Sequence, residues 1–231
     1  MLSNPYFTDE QDVFYGGYNI AKGRDIYASY LCQHMPFSYY FAALMALFGA
    51  RTIFQFRIGM YVLMSVVWEI AYYRHRRVFH PTVMFAIPLL YLAMLKTQFM
   101  GTTMIADHQQ GVGLILIVLE LVRYVDKRVI TPPCAMMVSL GIMFSFGTAF
   151  IAAYSVFCLF LAVAGIQVWD VIQGRKKGSF SLMKTVREDC RLVAICFLPF
   201  VLLLGWYAVS NNLDHFFDGA YRVNVDRKSV V

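Results

Sequence analysis

The chain has 231 residues, of which 59% are hydrophobic and 15% charged, and its mean hydropathy is +0.57. This composition is too apolar for an ordinary soluble domain of that length and is typical of a polytopic membrane protein. The net charge of +6 does not indicate nucleic-acid binding, because the basic residues form short clusters between apolar runs: RHRR at 74–77, DKR at 126–128 and GRKK at 174–177. Such clusters are typical of cytoplasmic loops.

Apolar runs predict an all-α fold, a polytopic bundle of about six transmembrane helices. The runs are 53–73, 78–97, 104–124, two helices within 134–169, and 191–210. The hairpin within 134–169 is predicted from the basic clusters on either side of this stretch. Since the DKR and GRKK clusters are both expected in the cytoplasm, an even number of crossings must separate them, which predicts a turn at residues 145–148.

The same alternation divides the chain into three parts. Residues 1–52 are expected outside the membrane, which calls for a further helix upstream to deliver them there. Within them, residues 37–50 are too few to cross and predict a helix in the outer interface, opened by Pro36. The bundle is expected to occupy 53–210, and 211–231 to begin another outer loop.

Acidic residues at the start of the chain are the first candidates for chemistry. Asp9 and Glu10 have two interpretations. Thr8 and Gln11 can form a capping box that places both acids in the first turn of a short helix. Alternatively, one carboxylate is a general base that faces the outer leaflet.

A second polar stretch, "TTMIADHQQG", opens the span over 104–124. A full crossing there brings Asp107 and His108 to the outer mouth of the bundle, and ionisable groups at that depth usually face a cavity or a site. The alternative is that Asp107 caps the helix with Gln110 at its third position.

Several cations are candidates for binding a phosphate. Arg57 begins a span and either snorkels to the interface or holds a phosphate. Lys22 and Arg24 are alternatives for that contact or are solvated loop charges. His34 is a further candidate and, with His108, a possible metal ligand, although no spacing requires a metal.

Near the end of the span predicted over 53–73, Glu69 lies close in sequence to Arg74 and His75. We expect it to be their ion-pair partner.

Three segments in order resemble the GT-C class of integral-membrane glycosyltransferases. They are the acidic loop "DEQDVFYGGYNIAKGRDIY", the aromatic stretch "MPFSYYFAALMALFGA" and the helix start "FQFRIGMYVL". The nearest relatives look like the superfamily of dolichyl-phosphate-mannose protein mannosyltransferases and aminoarabinose transferases. The likeness covers residues 6 to about 110 and beyond that only the rhythm of spans.

The resemblance implies an inverting transfer of a sugar from a polyprenyl phosphate to an acceptor hydroxyl on a lipid, glycan or protein. It makes residues 1–52 a catalytic loop, with Asp9 and Glu10 as the acidic pair and Asp9 as the base. It places the second-loop aspartate of the family at Asp107 and the arginine that follows the interfacial helix at Arg57. No cofactor is required, and the expected location is the extracytoplasmic face of a bacterial plasma membrane.

Three other readings compete with the enzyme. A multi-span transporter or flippase would place ionisable groups near mid-membrane in several spans, whereas here they gather at one face. An O-antigen ligase or polymerase would show its motifs in a large later loop. A structural membrane subunit would leave Asp9, Glu10 and Asp107 as unrelated helix caps.

Overall fold

The structure is a computed structural model that describes residues 8–29, 34–98, 106–127, 129–148, 152–177 and 182–222. Across these residues it contains helices and turns and no strands, which confirms the all-α prediction. The helices are α1 (Thr8–Ala21), α2 (Ile26–Ser29), α3 (Pro36–Leu47), α4 (Ile53–His75), α5 (Pro81–Gln98), α6 (Ala106–Lys127), α7 (Pro132–Phe144), α8 (Ala152–Lys177), α9 (Leu182–Val209) and α10 (Leu213–Phe217), followed by a π-helical turn, Asp218–Arg222.

Among the described residues, three helical segments are long and apolar enough to cross a membrane: Ile53–His75, Ala152–Gln173 and Asp189–Val209. The other predicted spans are also helical, as α5, α6 and α7. The apolar parts of α5 and α7, Pro81–Leu90 and Pro132–Phe144, are shorter than a full crossing. The structure therefore supports a helical membrane protein with three candidate spans.

The predicted turn in the long apolar stretch is confirmed. Helix α7 ends at Phe144, and residues 145–148 form a turn before α8. Two hydroxyls satisfy the last carbonyls of α7: Ser145 Oγ donates to Gly141 O at 2.7 Å, and Thr148 Oγ1 donates to Phe144 O at 2.6 Å. These bonds supply partners that a helix terminus otherwise lacks.

The predicted interfacial helix is α3, with Pro36 at its first position. One face is packed against the hairpin: Phe41 stacks on Phe144 with ring centroids 4.4 Å apart, and Phe37 N donates to Gly147 O at 2.9 Å. Seven of its residues, including Tyr39, are buried. Helix α3 is therefore an integral part of the described core.

The contacts define two ends of the bundle. Helices α4 and α6 run in the same direction. Their later parts meet at Arg74 and Glu120. The earlier part of α4 is joined to α1 through Arg57, and the earlier part of α6 lies, at Gly113, beside the end of α7 that packs on α3. Helix α7 runs oppositely, and its last turn lies beside α3. We call the end with α1, α2 and α3, where α4 and α6 begin, the α1 end, and the opposite one the Glu120 end.

Candidate functional site

A buried ion pair joins the acidic segment to the first span. Arg57 Nε donates to Glu10 Oε1 at 2.8 Å, and Arg57 Nη2 donates to Glu10 Oε2 at 2.6 Å. The two residues are 1% and 0% exposed. Two parallel charge-assisted bonds of this kind fix both distance and orientation. The pair therefore ties the first turn of α1 to α4.

Local sequence fixes where Arg57 stands. Helix α4 begins with a capping box in which Thr52 Oγ1 accepts from Gln55 N at 3.2 Å, while Gln55 Oε1 accepts from Thr52 N at 3.3 Å. Arg57 follows in the second turn, beside buried Phe56. The start of the helix is thus defined by its own residues, and the position of Arg57 follows from it.

A second carboxylate anchors α1 to α3. Tyr39 Oη donates to Asp12 Oδ2 at 2.7 Å and accepts from His34 N at 3.2 Å. Tyr27 Oη in turn donates to His34 O at 2.9 Å. His34 therefore lies at the α1 end, next to the acidic helix, and is held there by its backbone.

Glycines allow α1 and α3 to approach closely. A Cβ atom on Gly17 would lie 2.6 Å from Ala43 N, and one on Gly16 would overlap the Tyr39 ring. Only a residue without a side chain fits such a crossing. Gly16 and Gly17 of α1 therefore allow Asp12 to reach Tyr39.

The cations at the end of α1 lie apart from the buried pair. Lys22 and Arg24 are exposed; Lys22 Nζ lies 5.4 Å from the Tyr18 ring, and Arg24 Nη1 donates to Asn19 Oδ1 at 3.3 Å. They follow Glu10 by roughly 15–20 Å of helix. The structure thus brings Glu10 and Arg57 together and leaves Lys22 and Arg24 at a distance.

Three predicted site residues have a described backbone only. Asp9 lies in the first turn of α1, and Asp107 and His108 lie in the first turn of α6. Helix α6 already includes Ala106, so Asp107 is a helical residue rather than the residue before the helix. Their side chains lie outside the part that the structure describes.

An aromatic cluster closes the α1 end on the side of α9. Tyr40 Oη and Tyr207 Oη are 3.2 Å apart, and the Tyr27 ring meets both Tyr207 and Phe216 edge-on. Burial raises the pKa of the Tyr40 hydroxyl above its ordinary value. This contact connects the end of α9 to α2 and α3.

The Glu120 end holds a charged cluster that was not predicted. Arg74 makes a bidentate contact with Glu120 through Nε and Nη2, and Arg123 Nη1 lies 3.5 Å from Glu120 Oε2. His75 Nε2 lies 3.2 Å from Glu120 Oε1, and His75 Nδ1 lies 2.8 Å from Ala71 O. Glu120 is 1% exposed.

This cluster corrects the expected pairing of Glu69. Glu69 is exposed, and among the described residues no ion pair includes it. Arg74 turns instead toward α6, where burial strengthens the attraction to Glu120. The available signal was Glu120 itself, a lone acid within the apolar run "GLILIVLELV".

Two cavities lie near this cluster and away from the Glu10–Arg57 pair. An open groove of about 700 Å³ is bordered by Glu69, Tyr73, Arg74 and Met136. A smaller one of about 40 Å³ has an almost wholly apolar lining that Glu120 borders. Of the predicted substrate-binding residues whose side chains are described, Arg57, Lys22, Arg24 and His34, none lines either cavity.

In the described ranges no group of three or more His, Cys, Asp or Glu side chains is placed to hold a metal ion.

No protein-family model, curated protein or solved structure matches the chain. The functional assignment therefore depends on the residues at the α1 end.

Proposed function

We propose that the chain is a glycosyltransferase that moves a sugar from a polyprenyl phosphate to an acceptor hydroxyl, with inversion. The observation that carries the proposal is the buried Glu10–Arg57 pair. It holds the acidic segment against the first candidate span. In the proposed arrangement this segment lies beside the membrane surface. A carboxylate fixed at that height can meet the head group of a lipid-borne donor while the prenyl chain lies along apolar helices.

The proposed reaction needs few protein groups. The acceptor oxygen attacks the anomeric carbon, the bond from that carbon to the phosphate oxygen breaks, and the polyprenyl phosphate leaves with the bonding electrons. The acceptor proton passes to a carboxylate. Because the phosphate is already a good leaving group, one base and one or two cations are sufficient.

Asp9 is the proposed base, with Asp107 as the second acid of the site. Glu10 is bound to Arg57 and Asp12 to Tyr39, so both carboxylates have partners that hold α1 in place. Asp9 is three residues from Asp12 and shares its helical face. In this arrangement Glu10 and Arg57 are positioning residues, and His34 and His108 are the proposed contacts to phosphate and sugar. Lys22 and Arg24 are left out of this role, because they follow Glu10 by roughly 15–20 Å.

We place the chain in a bacterial plasma membrane, with α4 to α9 as six spans. The α1 end is on the extracytoplasmic face and the Glu120 end on the cytoplasmic face. The basic clusters support this orientation. RHRR continues the end of α4, DKR that of α6 and GRKK that of α8. Positive charge of this kind marks cytoplasmic loops.

Native mass spectrometry of the detergent-purified full-length protein tests the donor class. The expected result is a co-purifying species with the mass of a polyprenyl phosphate or its glycosylated form. Addition of a prenyl-phosphate hexose to stripped protein should restore such a complex. Retention of bulk phospholipid alone, with and without that addition, would contradict the proposal.

A transporter or flippase is the second candidate, and one observation favours it. Ion pairs occur at both ends of the bundle: the buried pair Glu10–Arg57 at one, and at the other Arg74–Glu120, in which Glu120 is buried and Arg74 is partly exposed. Such pairs are suited to two gates that open alternately. Substrate flux in proteoliposomes, lost on substitution at either pair and occurring without glycosyl transfer, would establish this candidate in place of the enzyme.

A further inference from the structure

Gln109, near the start of α6, is a buried amide without a hydrogen bond. Its side chain is 0% exposed, and neither Nε2 nor Oε1 has a partner within the part of the chain that the structure describes. Leaving both ends of an amide unsatisfied inside a protein is costly. A group retained at that cost requires a physical explanation.

The position of Gln109 connects it to the α1 end. Three residues later Val112 joins the apolar cluster that contains Phe144, and one turn later Gly113 crosses α7 so closely that a Cβ there would lie 2.5 Å from Ser145 N. Gln109 is therefore one turn nearer the α1 end than this crossing. Helical side chains lean toward the N-terminus of their helix, which directs the amide to the same end.

Its depth can be estimated from the parallel helices. Arg74 and Glu120 lie at the same level. Counting back along α4 and α6 from that level, Gln109 lies about 9 Å deeper in the bundle than Arg57. Gln109 therefore lies toward the α1 end, at a level between the Glu10–Arg57 pair and the middle of the bundle.

The chemistry of the amide selects the kind of ligand. Oε1 accepts hydrogen bonds and Nε2 donates them, so full satisfaction requires a donor and an acceptor side by side. A phosphate offers acceptors only, and an ammonium offers donors only. Neighbouring hydroxyls of a sugar offer both.

We infer that Gln109 binds two neighbouring hydroxyls of the donor sugar and so determines which sugar is accepted. This inference rests on the proposed glycosyl transfer. Gln109 lies next in sequence to Asp107 and His108, so it extends that polar stretch into the bundle. It is a specificity residue and takes no proton in the reaction.

The test compares Gln109→Met with the wild type in the full-length protein. The donors are short-chain prenyl phosphates of mannose, glucose, galactose and arabinose, which differ in the orientation or number of their hydroxyls. For each donor kcat/KM is measured, and the melting temperature is measured without donor. The control is Gln167→Met, because Gln167 Nε2 already donates to Asp189 Oδ1 at 2.6 Å.

We expect the wild type to prefer one donor by about 10-fold or more, and Gln109→Met to reduce that preference to within about 3-fold. Removing the unpaired amide should also raise the melting temperature by about 2–6 °C. The control should lower the melting temperature and keep the donor preference.

Two results overturn the inference in distinguishable ways. If the wild type transfers sugar and Gln109→Met keeps the same donor preference, the amide is filled by an internal water only, and the proposed function stands. If the wild type transfers none of the four sugars, the proposed function fails and the inference fails with it.

Discussion

Glu10 and Arg57 are 47 residues apart in the chain and meet in two hydrogen bonds between α1 and α4. The carboxylate and the guanidinium are both buried, so each compensates the charge of the other. Without its partner, either group would be an unpaired charge in an apolar environment. Removing one partner of such a pair costs about 3–5 kcal/mol, whereas replacing both by apolar groups costs much less.

This difference gives the first prediction. Glu10→Gln and Arg57→Met should each lower the melting temperature of the detergent-solubilised protein by at least about 6 °C. The double variant should be less destabilised than the sum of the two. A double-mutant cycle of thermal unfolding measures the coupling energy, and additive effects would show that the two side chains do not stabilise each other.

The proposed base, Asp9, should affect the rate of transfer and leave the stability unchanged. Asp9→Asn should reduce the rate of glycosyl transfer by at least about 100-fold, because the acceptor proton loses its carboxylate. The melting temperature and the co-purifying lipid should remain as in the wild type. Near wild-type transfer by this variant would remove Asp9 from the mechanism.

Glu120 should be essential for the stability of the protein and should take no part in the transfer of the sugar. Glu120→Gln leaves Arg74, His75 and Arg123 facing a neutral amide at the Glu120 end, and we expect a loss of about 3 kcal/mol or more. Glu69→Gln is the matched control, since Glu69 is exposed, and should change stability by less than about 0.5 kcal/mol. Equal melting temperatures for the two variants would contradict the role of the cluster.

The crossing of α6 and α7 depends on glycine. At Gly113 a Cβ would meet backbone atoms of Gly141, Phe144 and Ser145, which cannot move aside cheaply. Gly113→Ala should therefore destabilise the protein by about 2 kcal/mol or more. Gly165→Ala, with nothing within 4 Å of its Cβ, should stabilise α8 by about 0.5–1 kcal/mol through helix propensity. Thermal unfolding of both variants decides the comparison, and a tolerated Gly113→Ala would mean that the helices pack less closely.

The orientation of the bundle can be tested by cysteine labelling in intact cells. In a background without native cysteines, a membrane-impermeant maleimide should label Lys22→Cys directly and Lys127→Cys only after permeabilisation. Both lysines are exposed and lie on opposite ends of the bundle. The reverse pattern would invert the topology and place the acidic segment in the cytoplasm.

The sequence by itself determined the local structure. The apolar runs and Pro36 predicted the helices, because helix formation depends on neighbouring residues and on hydrogen bonds within one turn. The basic clusters on either side of the long apolar stretch predicted its turn at residues 145–148. It also marked Glu10 and Arg57 as residues of interest, although it assigned them separate roles in catalysis and substrate binding.

Only the tertiary structure decided which groups meet. Sequence proximity assigned Arg74 to Glu69, whereas folding brought it to Glu120, and the same process joined Glu10 to Arg57 and buried the amide of Gln109. No helical period encodes these relationships. They arise when helices pack against each other, since the distance between two helices determines which side chains leave water together. Glycines set that distance where α1 crosses α3 and where α6 crosses α7.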